Sequence, residues 1–149
     1  KRASRAESSG KHVTMTYIPE ALRRQIAVRA NFHCEYCLAG QINRTKPHEV
    51  DHIYAEKHGG ATVAENLCLS CYYCNRYKGS DLCGLDPETG EPVMLFHPRR
   101  QEWGTHFRMD AGRITWLSPT GYATIYLLQM NDPLRVIERE LWSQLDDEL

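Results

Sequence analysis

The chain has 149 residues, 42% of them apolar and 25% charged, with a net charge of −1 at neutral pH. That length is one ordinary domain. No stretch approaches the ~20 continuous apolar residues that a spanning helix needs, so the composition is that of a soluble, cytoplasmic protein with no membrane segment. The near-zero charge requires any phosphate-binding surface to be a local patch that weakens with salt.

Residues 1–14 carry four basic side chains and one acidic one, with no apolar core of signal type. They are expected to be a disordered leader or a cloning remnant, with Met15 a candidate natural start. Ile18-Pro19-Glu20 then opens a helix with Leu22, Ile26 and Ala30 on one face. Arg23, Arg24 and Arg29 fall on its solvent side, either simply solvated or in contact with phosphates. Cys34-Glu35-Tyr36-Cys37 follows as a tight knuckle. Residues 48–54 alternate as a short strand, Gly59-Gly60 mark a turn, residues 62–69 form a second extended segment, and residues 71–79 suit a two-turn helix. The central unit is thus strand, turn, strand, helix. Residues 81–104, rich in Pro and Gly, are expected to wrap the surface. Residues 106–117, broken by Asp110-Ala111-Gly112, predict a β-hairpin. Ser118-Pro119 and Asp132-Pro133 open two closing helices. The second has Leu134, Ile137, Leu141 and Leu145 at helical spacing and is expected to pack them on the core.

Of six cysteines, four sit as two C-x-x-C pairs, Cys34/Cys37 and Cys71/Cys74. Without an export signal, that spacing favours metal over disulfides. Two such knuckles present four thiolates at the corners of a tetrahedron, as in a structural Zn²⁺ site with no open coordination position. The 33 residues between the pairs leave room for the strand-turn-strand unit to be looped out and clamped at both ends. Cys68 and Cys83 have no partner at ligand spacing and read as ordinary buried or loop cysteines.

Asp51-His52 ends the first predicted strand and Asn75 directly follows the last knuckle cysteine. With Gly59-Gly60, Asn66-Leu67, Lys78 and Gly79 they spell D-H-I, G-G, N-L, C-x-x-C-N-x-x-K-G in order. This pattern resembles the HNH endonuclease family in its zinc-bound branch, and more loosely its small free-standing bacterial members. The resemblance implies an α+β fold with a ββα-metal (His-Me finger) core at 34–81. Around it would lie the N-terminal helix and, over residues 82–149, the hairpin and two helices, all in one domain from residue 15 to 149. It implies His52 as general base, Asp51 as carboxylate metal ligand, Asn66 as the brace of the hairpin loop, and Asn75 at the last motif position, where many members have histidine. This HNN departure is a known variant of the family. Asp51 and Asn75 both offer oxygen, so the catalytic ion is expected to be Mg²⁺ or Mn²⁺, with zinc confined to the cysteines.

Lys78 and Arg76, on the predicted catalytic helix, are candidates for phosphate contact, as are His48 and His58; for each, a solvated or structural role is the alternative. His33, His97 and His106 are expected to be structural. The expected substrate is DNA, with RNA second. The rival functions are a zinc-ribbon module that binds nucleic acid without cutting, which would need neither Asp51-His52 nor Asn75, and a zinc-stabilised interaction domain using the C-terminal helices.

Overall fold

The computed structural model describes residues 17–41 and 45–146, so the reading of residues 1–14 lies outside the described residues. Helix α1 (Glu20–Arg29) starts after Pro19, whose fixed φ and missing N–H suit a helix boundary, and places Glu20 in the positive first turn. Its apolar face buries Ile26 completely against Leu67 and Leu69, with Leu22, Ala27 and Ala30 packed around them. One expectation changes here: Arg29 is not simply solvated. Its guanidinium donates to the carbonyls of Ala64 and Leu67 at 3.0 and 2.6 Å, fastening the helix end to the next element.

Strands β1 (Glu49–His52) and β2 (Leu67–Ser70) pair antiparallel, with Asp51 opposite Cys68 and His52 opposite Leu67. Helix α2 (Tyr72–Lys78) follows β2 after a single residue, Cys71, whose sulfur accepts the Cys74 N–H at 3.4 Å and so caps the helix. The strand-turn-strand-helix unit is therefore present as a ββα element. Glu35 ties the first knuckle to it, accepting the Leu69 N–H at 2.8 Å while pairing with Arg99.

Residues 81–104 depart from expectation. They contain a hairpin, β3 (Cys83–Leu85) with β4 (Pro92–Met94), where only an irregular wrap was predicted. Three-residue strands carrying a Gly and a Pro have too little alternation to register as a pattern. What holds them is tertiary: Gly84 sits so close to Ala123 that a side chain there would collide. After a one-turn helix α3 (Trp103–His106) come β5 (Phe107–Asp110) and β6 (Arg113–Trp116), joined by Ala111 and Gly112 at φ 47° and 81°. Positive φ at both turn residues matches the twist of the strands. Helix α4 (Pro119–Leu127) is capped by the Ser118 hydroxyl, which accepts the Gly121 N–H at 3.0 Å, and α5 (Pro133–Asp146) ends the described chain.

The main core is built around the cysteines. Cys34, Cys37, Cys68, Cys71 and Cys74 are buried with Tyr36, Ile53, Phe96, Phe107, Ile114, Leu128 and Met130. Here α5 corrects the sequence reading. Leu134, Ile137, Leu141 and Leu145 are 50–72% exposed, while Arg135 and Arg139 are buried, each 6% exposed. The reason is what lies beneath the helix: carbonyls of Gly112, Leu128, Gln129 and Met130 and two cysteine sulfurs, all acceptors that require donors. No helix among the described residues is long and apolar enough to cross a membrane.

Candidate functional site

Each C-x-x-C pair folds into the same local turn. The Cys37 N–H points at the Cys34 sulfur at 3.5 Å, as the Cys74 N–H points at Cys71. The two turns converge so that all four sulfurs lie within 4.8 Å of one another, and Cys37 and Cys71 are 3.7 Å apart. A tetrahedron with Zn–S bonds of about 2.3 Å has edges of about 3.8 Å, whereas a disulfide would need about 2.0 Å. The cage therefore fits a four-coordinate zinc. Among the thiols themselves, burial pushes Cys34 and Cys74 up and neighbouring thiols pull Cys37 and Cys71 down.

A second polar cluster lies at the ββα unit. Asp51 and His52 from β1, Asn75 from α2, and Glu49, Glu56, Arg23 and Lys57 line one cleft of about 480 Å³. A larger cleft of about 560 Å³ is lined by Phe32, His33, Leu38, Met109, Arg139 and Trp142 and holds no carboxylate.

His52 Nε2 lies 2.8 Å from the Thr62 hydroxyl, which donates to Glu56 Oε1 at 3.3 Å. This hydrogen-bond order assigns the proton to Nε2 and leaves Nδ1 as the basic nitrogen. Asn66 holds the loop between the strands. Its amide NH₂ donates to the carbonyls of Tyr54 and Ala61, each at 2.9 Å, and its oxygen accepts the Tyr54 N–H at 2.9 Å. Gly60 passes so close to Tyr54 and Asn66 that no side chain fits there. The Asn75 amide donates to Glu49 Oε2 at 2.9 Å through its NH₂, so its oxygen is not the atom engaged there.

Burial raises the Asp51 pKa, opposed by the Lys78 ammonium; burial lowers Lys78, opposed by Asp51. Lys78 is not the phosphate-reaching side chain of the sequence reading. It is 3% exposed and donates to the Ile53 carbonyl at 2.8 Å, because the helix directs it inward beneath β1. His48 likewise turns inward, donating to the Ala39 carbonyl at 2.7 Å, since the strand begins only after it, at Glu49. His58 remains exposed and donates to the Ser80 carbonyl at 3.0 Å, while exposed Arg76 donates to Tyr72 at 2.7 Å. His97 is buried edge-on to Tyr54, and His106 meets the Ser118 hydroxyl at 2.6 Å.

Sequence reasoning missed Glu49, Glu56 and Thr62. Glu49 carried a signal, lying two residues before Asp51 on an alternating strand. Thr62 carried none, because only the folded loop returns it to His52.

Residues 34–81 match the HNH endonuclease family. No curated protein and no solved structure matches the chain. The chain carries an HNH endonuclease domain over those residues, in a family that usually cuts nucleic acid.

Proposed function

We propose that the protein is a metal-dependent endonuclease that hydrolyses phosphodiester bonds in DNA, with residues 15–149 working as one domain. The observation that carries the reading is the convergence of Asp51, His52 and Asn75 on one cleft, within the segment matched to a nuclease family. His52 Nδ1 takes the proton of the attacking water, the general-base role that imidazole fills most often. Asp51 and the Asn75 oxygen are the two protein ligands for Mg²⁺ or Mn²⁺, and their hard oxygens suit those ions. When bound, such an ion stabilises charge on the phosphate and the departing 3′-oxygen.

Asn66 keeps His52 at the rim of the cleft by fixing the loop that begins at Tyr54. Thr62 and Glu56 hold the imidazole in the tautomer that accepts at Nδ1. Arg23 and Lys57 are the cleft's cations and take the phosphates flanking the scissile one. These contacts are sequence-blind. Four reduced cysteines at metal spacing suit a reducing, cytoplasmic setting.

The test is cleavage of supercoiled plasmid with Mg²⁺, with and without EDTA. One chain carries one Asp51–His52–Asn75 set, so nicked circles should precede linear product. Metal-independent binding without cleavage would instead favour the zinc-stapled binding module.

A further inference from the structure

Two buried arginines on α5 have no use in the nuclease reading, and a buried guanidinium needs a counter-charge. Arg135 lies across the cage. Its Nη2 donates to the Cys74 sulfur at 2.9 Å and reaches the Cys71 sulfur at 3.6 Å, while Nη1 donates to the carbonyls of Leu128 and Gln129 at 2.6 and 2.9 Å. Its planar group also lies over the Tyr73 ring, inside the second knuckle, at 5.5 Å. Arg139, one turn on, donates to the carbonyls of Gly112 and Met130 at 2.8 and 2.6 Å. Among the described residues, no carboxylate pairs with either arginine. Carbonyls satisfy N–H groups but supply no full negative charge.

The missing charge is in the cage. A divalent ion on four thiolates leaves two negative charges in a buried site, and two guanidiniums balance them. From this juxtaposition we propose that α5 is part of the metal centre, with Arg135 and Arg139 as positioning residues that neutralise the tetrathiolate and hold the zinc in place. Arg135 does so by direct N–H···S bonds that fix the second knuckle, and Arg139 by its charge from the next turn. The metal centre thus extends beyond residues 34–81, the segment that matches the family.

The same charge balance explains the inverted helix. An α5 that packed Leu134, Ile137 and Leu141 inward would leave the tetrathiolate without counter-ions and the carbonyls beneath it without donors. It also ties the docking of α5 to the cage, through the Arg135 bonds to the Cys71 and Cys74 sulfurs.

The inference rests on the cage binding zinc, and the experiment separates the two ideas. The full-length protein is loaded with Co²⁺, whose thiolate-to-metal charge-transfer bands report N–H···S bonding directly. Zinc release to a chromophoric chelator is timed on the zinc-loaded protein. Arg135→Met should shift the charge-transfer bands and speed zinc release at least tenfold, with Arg135→Lys between it and the parent protein. Val136→Ala, on the same helix without a sulfur contact, should lower the melting temperature without moving either readout. If Arg135→Met does not fold, Arg135→Lys alone decides: parent-like bands and release overturn the proposal. A folded Arg135→Met with unchanged bands and release also overturns it. Parent protein that takes up neither metal would sink the zinc reading itself, a different result.

Discussion

On one side of α2, Cys71 and Cys74 turn into a buried cage of four sulfurs; about 100° around the helix, Asn75 faces a cleft shared with Asp51 and His52. The sulfur side is closed: every ligand is protein, and the excess negative charge of the tetrathiolate faces an arginine from a distant helix. The oxygen side is open: Asp51, Asn75, His52, Arg23 and Lys57 line a cleft, and in the proposed function it leaves coordination positions for water and substrate. A closed site can be complete in the free protein and can contribute to folding, whereas an open one cannot be complete without spoiling its function. Because Cys74 and Asn75 are adjacent, the first site fixes the backbone on which the second depends.

The harshest way to break this contrast is at the closed side. A tetrathiolate zinc contributes roughly 10–16 kcal/mol of apparent binding energy, comparable to the ~5–15 kcal/mol stability of a whole domain. Cys71→Ser is therefore expected to lose zinc and tertiary structure together. Elemental analysis and near-ultraviolet circular dichroism follow both, and a folded, zinc-free variant would contradict the expectation.

The open side should break without unfolding. His52→Ala is expected to slow cleavage by roughly 10²–10⁴-fold while zinc content and melting temperature stay at parent values. Near-parent rates at neutral pH would end the general-base assignment.

A finer cut is Asn75, whose side-chain hydrogen bond among the described residues is to Glu49. Asn75→Ala should raise the Mg²⁺ concentration for half-maximal activity several-fold, and Asn75→His should shift preference toward Mn²⁺, Co²⁺ or Ni²⁺. Metal titrations of the cleavage rate decide it; an unchanged Mg²⁺ midpoint in the alanine variant would leave Asp51 as the defensible ligand.

The smallest expected effect is on pH. Burial holds the Asp51 carboxyl above its ordinary value, and the Lys78 ammonium partly offsets this. Removing the ammonium with Lys78→Met should raise the Asp51 pKa further, so activity at fixed Mg²⁺ should fall off at a higher pH on the acid side. At neutral pH, where the carboxylate stays ionised, the rate should change little. An acid limb that does not move would show that the two groups are uncoupled.

The contrast also explains what could be read in the sequence. The cysteine pairs and the ββα order are legible because they depend on local spacing along short elements, and the same spacing brings Asp51, His52 and Asn75 to one cleft. The inward turn of Lys78 was not legible: a lysine one helical turn past Asn75 has the same sequence context whether it meets solvent or the Ile53 carbonyl. The same holds for α5, where apolar periodicity at Leu134, Ile137, Leu141 and Leu145 pointed to the wrong face. Periodicity assumes an apolar bed beneath a helix, and here the bed is carbonyls and sulfur, assembled from segments distant in the chain. The β3–β4 hairpin failed for a simpler reason, being too short to alternate.

Cys83 offers a way to watch the cage from outside. It is exposed on the short hairpin, where its thiol lies 3.4 Å from the Met94 sulfur, while the other five cysteines are buried. Cys68 is doubly shielded, since burial pushes its thiol up to about 12. An alkylating dye should therefore attach once per molecule while the metal is held. Up to four later attachments per molecule report one opened cage, so the stoichiometry and timing of labelling become a clock for zinc loss in intact protein. No substitution is needed to install the reporter.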